Sequence, residues 1–143
     1  MRRQAAGDRR ALLTLALAAP LLALGCGPAR PEHTTIASID GREYRVLGSA
    51  EIAISGEQRL LRVDFEPRAF ADREASRKEA RGLLLPLQNS LVRRRHVLIV
   101  ANAPRSDPWS DEREQLAFLF ERIDKKWEIV AEETPALALA RLE

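Results

Sequence analysis

Residues 71–94, ADREASRKEARGLLLPLQNSLVRR, place Ala80, Leu83, Leu84, Leu87 and Leu91 at helical spacing, so that they share one face. Asp72 is a natural start, and Glu74 puts an acidic residue in the first turn. Pro86 falls inside the stripe. A proline removes one helical hydrogen bond and bends the axis. The stripe stays in phase across it, which predicts one kinked helix. No other helix of this length is expected, so the remaining core must come from strands.

The flanking segments have the strand pattern. TTIASI and EYRVL surround Asp40-Gly41, a short-hairpin signal. Tyr44 and Val46 alternate with Arg45; Ile52 and Ile54 share a side, as do Leu61, Val63 and Phe65. Arg62 and Asp64 then face water, which suggests antiparallel strands with one wet side. HVLIVA at 96–101 is a continuous apolar run, as in a central strand covered on both faces. QLAFLFERI and WEIV follow, joined by Asp124-Lys125-Lys126, with Trp127 and Ile129 on one face. The expected fold is α+β: an antiparallel sheet of about five to seven short strands with one long kinked helix on one face, in the order strands, helix, strands. The C-terminal residues 132–143 carry both alternation and helical signals, and their conformation stays open.

The N-terminus has a different character. Four arginines occur in the first ten residues, and residues 11–25, ALLTLALAAPLLALG, carry no charge. Fifteen residues fall short of the roughly 20 needed to cross a bilayer as a helix. A basic head, a short apolar stretch and small residues at its end make a secretory signal segment. Its end, Leu22-Ala23-Leu24-Gly25-Cys26, resembles the lipobox of bacterial lipoproteins, although Ala23 stands where leucine is commonest. The resemblance implies cleavage before Cys26, lipidation of its thiol, and a location in the bacterial cell envelope facing the periplasm. Gly27 in place of aspartate favours the outer membrane over the inner. Two or three acyl chains, at roughly 0.8 kcal/mol per buried CH₂, anchor a protein firmly. Arg9-Arg10 with Leu12-Leu13 also resembles a twin-arginine export motif, and a general secretory head accounts for the same residues. The implied organisation is a signal at 1–25, a lipidated cysteine and Pro-rich tether at 26–34, one domain at 35–131 and a tail at 132–143.

Removing the signal changes the charge. Residues 1–26 hold four arginines against Asp8, and the remainder holds 19 Lys and Arg against 20 Asp and Glu. The mature chain is close to neutral, so nucleic acid is not an expected partner. Cys26 is the only cysteine, which excludes an intrachain disulfide and a thiol pair. The two histidines, His33 in the tether and His96 at a strand start, do not make a metal site. No serine sits in a strand-to-helix elbow, and no glycine-rich loop precedes a helix. No catalytic residue, cofactor site or metal site is therefore expected.

Two features offer binding surfaces. Arg73, Arg77 and Arg81 lie four apart and form a basic ridge, with Arg93, Arg94 and Arg95 following at the helix end. Such a ridge contacts anionic headgroups or simply meets solvent. Loop residues 102–114 carry Trp109 between prolines and charges. An exposed loop tryptophan anchors an interface; alternatively it folds back over the sheet edge. The chain is similar in design to small α+β envelope lipoproteins. The expected function is a non-enzymatic, membrane-tethered module for protein interaction or envelope assembly, with an envelope protein as the candidate partner. A carrier with an apolar pocket between helix and sheet, or an envelope enzyme, is the alternative.

Overall fold

A computed structural model of the chain describes residues 34–37, 41–56 and 58–143. The expected signal, Cys26, and the tether as far as His33 lie outside the described residues. Six strands form one sheet in sequence order: β1 (Thr34–Ala37), β2 (Glu43–Ala53), β3 (Arg59–Glu66), β4 (His96–Asn102), β5 (Gln115–Ile123) and β6 (Lys126–Glu133). Helix α1 (Arg73–Leu83) lies between β3 and β4, and a short helix α2 (Pro135–Ala140) follows β6.

The sheet is mixed, which corrects the expected antiparallel one. β3 and β4 run parallel, with Leu61 opposite Val97 and Phe65 opposite Ala101, while the other four pairings are antiparallel. A parallel neighbour needs a crossover of a dozen or more residues, usually helical. Residues 67–95 are that crossover. Arg62 and Asp64 looked like the wet side of an antiparallel strand, but alternation reports which face a side chain takes and carries no information about strand direction.

The long kinked helix is also corrected. Asp72 caps α1 as expected, accepting at 3.0 Å from the Ala75 amide. The helix nevertheless stops at Leu83 after 11 residues. Pro86 has no amide hydrogen for the Gly82 carbonyl, and its ring crowds that position. The chain tightens instead: Leu84 donates to the Arg81 carbonyl (3.3 Å) and Leu85 to Gly82 (3.4 Å). A single 3₁₀ turn follows at Gln88–Leu91. Leu84 and Leu91 are still buried in the core, so the stripe marked core positions correctly although most of its second half is not α-helix.

Both faces of the sheet are apolar. Under α1, buried Tyr44, Val63, Phe65, Ile99, Phe118 and Phe120 meet Ala80, Leu83 and Leu91. The helix presents small Ser76 and Ala80, both fully buried, which lets its backbone lie close to the strands. Gly82 also lies against the sheet: an added Cβ would strike the Tyr44 hydroxyl and stand 3.0 Å from Cζ. On the opposite face Leu60, Leu98, Val100, Ala117 and Leu119 gather with Ala138 of α2, and Leu139 and Leu142 pack against them. Residues 132–143 therefore complete β6 and cover part of the second face. β4, serving both clusters, is buried from Val97 to Asn102.

Two bulges let the flanking strands serve both faces. In β2, Val46 pairs with Phe65 and Gly48 with Asp64, leaving Leu47 extra. Tyr44 and Val46 consequently face α1, whereas Ile52 packs on the second face. In β6 the extra residue is Val130, so Trp127 and Ile129 pack on the α1 side and Ala131 on the other. The β5–β6 hairpin closes through Asp124 and Lys125, both at positive φ, as a two-residue turn matching the strand twist requires.

Beyond α2, the second face ends in a polar row. Arg62 Nε and Nη2 donate to the Asp64 carboxylate at 2.7 and 2.8 Å. Asn102, 3% exposed, donates to Asp64 (3.2 Å) and to the Val100 carbonyl (3.1 Å), and accepts from Gln115 Nε2 at 2.7 Å. These groups bind one another, which offsets the cost of desolvating them.

Candidate functional site

The basic ridge lies at the surface, Arg73 and Arg81 exposed and Arg77 half-buried, with partners on the neighbouring strands. Arg73 Nε donates to Glu132 Oε2 at 3.1 Å and its Nη2 to the Glu132 carbonyl at 2.9 Å. Arg77 pairs with Glu132 through Nε and, at 2.8 Å, Nη2, and also with Glu74. Arg81 lies 6.0 Å from the Phe120 ring centroid, and its Nη1 is 3.5 Å from the Trp127 carbonyl. All three arginines thus tie α1 to β5 and β6. Arg77, then Arg73, hold the Glu132 carboxyl below its ordinary range, against the opposing effect of burial.

The 103–114 loop is the reverse case. Its base closes where Ala103 donates to the Glu114 carbonyl (2.9 Å). The Asp107 carboxylate accepts from the Trp109 amide (2.9 Å), Ser110 Oγ from the Glu112 amide (3.1 Å), and Arg105 pairs with Asp111 (2.7 Å). Arg113, its side chain only 8% exposed, reaches back to Glu66 at 3.5 Å. On this braced loop Trp109 stands 95% exposed. It does not fold over the sheet edge.

A third surface brings together residues from separate parts of the chain. Because β3 and β4 are parallel, they begin at the same end of the sheet. Arg59 opens β3, and Arg93-Arg94-Arg95 leads into β4. These four arginines, with Glu51 and His96, line a cleft of about 620 Å³. Arg94 is braced: Nε donates to the Ser90 carbonyl at 3.0 Å, Nη1 approaches the Arg59 carbonyl at 3.5 Å, and Nη2 pairs with Glu51. Glu51 also meets Arg59 at 3.4 Å, and Arg94 and Arg59 together hold its carboxyl below the usual range. Arg95 is bonded to Glu121 at 2.9 Å. Arg93 is exposed and makes no hydrogen bond or ion pair among the described residues. Burial lowers the His96 pKa; Glu121 at 3.6 Å opposes this and Arg95 reinforces it.

Helical periodicity had assigned Arg93–Arg95 to a helix terminus, where cations suit the dipole. The legible signal was three arginines directly before one strand and a fourth at the start of another. It lacked only the strand direction. Among the described residues no group of three or more His, Cys, Asp or Glu is placed to hold a metal ion, and no helix is long and apolar enough to cross a membrane. Comparison with protein-family models, curated proteins and solved structures finds no match for the chain.

Proposed function

We propose that this chain is a lipid-anchored protein of the bacterial envelope, facing the periplasm, whose domain acts by binding another protein through the 103–114 loop. The observation that carries the binding half is Trp109. Exposing an indole this fully leaves a large apolar surface in water that a partner's pocket would remove, and tryptophan is among the residues that dominate interface energetics. The loop is held by its own hydrogen bonds, so ordering it adds little to the cost of association. The anchoring half rests on the LALGC sequence at 22–26.

Crosslinking in envelopes with a photoreactive residue at Ser110, followed by pull-down, should recover one reproducible protein. Trp109→Ala should weaken capture by tenfold or more, corresponding to about 1.4 kcal/mol or above. Cys26→Ser should abolish palmitate incorporation and release the chain from the membrane. Capture indifferent to Trp109, or labelling that persists without Cys26, sinks the corresponding half.

A further inference from the structure

We propose that the arginine cleft at the shared starting end of β3 and β4 is a binding site for a phosphoryl group. It stands apart from the Trp109 loop. β4 spans seven residues between the two, about 20 Å at about 3.3 Å per residue.

Four arginines line this cleft, and among the described residues Glu51 is the one carboxylate that does so. Three of the four are already fixed by protein partners, which hold them in place without removing the local excess of positive charge. Arg93 keeps all five of its N–H donors unengaged among the described residues. Consecutive arginines that repel one another at the mouth of a cleft are a local cost to folding. A multiply charged oxyanion relieves it. The guanidinium fork matches a phosphoryl group with two parallel hydrogen bonds, and Arg retains its charge at every accessible pH. Asn89 and Ser90 on the 3₁₀ turn add neutral polar side chains along one wall, and Ile54 and Val92 add apolar surface. The volume lies within the range of small-molecule sites and exceeds what a bare phosphate fills, so there is room for a group attached to it. A soluble phosphorylated compound and the headgroup of an anionic lipid both present this chemistry.

The test uses the full chain in neutral detergent micelles, with the arginine Nε–Hε signals followed by NMR. Inorganic pyrophosphate is titrated in one arm, and micelles are doped with phosphatidic acid in the other. Saturable shifts at Arg93 and Arg94 are expected. Pyrophosphate shifts assign a soluble ligand, and shifts with phosphatidic acid alone assign a headgroup. Arg93→Gln should weaken binding about tenfold, whereas Lys78→Gln, which removes an exposed charge on α1, should change it less than about twofold. No saturable shift in either arm overturns the proposal, and this wild-type result decides the matter even where a variant folds poorly. Equal losses for Arg93→Gln and Lys78→Gln also overturn it, because they would show diffuse attraction without a site.

Discussion

Gly82→Ala sets two physical effects against each other, and their balance tests the packing of α1. Gly82 lies in the last turn of the helix. Helix propensity alone favours alanine there by up to about 1 kcal/mol. Packing argues the other way. A Cβ at this position would run into the Tyr44 hydroxyl, with ring atoms Cζ and Cε1 at 3.0 and 3.3 Å. Tyr44 is 3% exposed and belongs to the core beneath the helix, so its rigid ring has little room to retreat. Overpacking of this kind costs about 1–3 kcal/mol. The net expectation is destabilisation by about 1 kcal/mol, or a fall in Tm of about 4 °C for a domain of this size. Urea unfolding followed by tryptophan fluorescence measures it. Tyr44→Phe removes the nearest obstructing atom, so Gly82→Ala should cost at least about 0.5 kcal/mol less in that background. If Gly82→Ala stabilises the chain, or the loss is the same with Phe at position 44, the close approach of helix to sheet is not what demands glycine.

Two further outcomes follow from one buried and one half-buried polar group. Asn102→Ala removes partners of Asp64 and Gln115 together and should lower stability by about 2–3 kcal/mol, seen as a shifted urea midpoint with an unchanged slope. Because Arg77 and Arg73 depress the Glu132 pKa, the stability from this site is fully present above its unfolded value near 4.5 and is lost as pH falls through the lower folded value. Urea midpoints measured from about pH 5 to pH 3 should therefore drop more steeply in the wild type than in Glu132→Gln; parallel curves would remove Glu132 from the account.

Much of the interior could be read from the chain itself. Leu61, Val63 and Phe65 share a face, the apolar run at 96–101 is a strand buried on both sides, and Leu84, Leu87 and Leu91 pack into or against the core. Three physical facts limited the rest. Periodicity gives a face but no direction, so the parallel pairing of β3 with β4 was hidden. A proline that keeps a stripe in phase can end a helix as well as bend it, because a tightened turn still delivers later leucines to the same core. Bulges at Leu47 and Val130 reverse the alternation inside a strand, so a pattern valid for Tyr44 and Val46 does not extend to Ile52. The candidate surfaces divided similarly. Exposure at Trp109 was one of two outcomes that its loop composition allowed. The pairing of Arg73 and Arg77 depended on Glu132, 55 or more positions away in the chain.

The parallel pairing in the middle of the sheet also bears on the order in which the molecule is made. β1 to β3 and β4 to β6 are each meanders whose neighbours are joined by connections far shorter than the 67–95 crossover, the longest being the 103–114 loop, the tightest where Ile123 pairs with Lys126. Leu61 and Val97, by contrast, are 36 positions apart. The entropy of closing a loop grows with its length, and contacts across it reward the chain only once it has closed. Each half can be assembled from neighbours in sequence. The join between them waits on the crossover that carries α1, so the pairing expected to form last lies at the centre of the finished sheet.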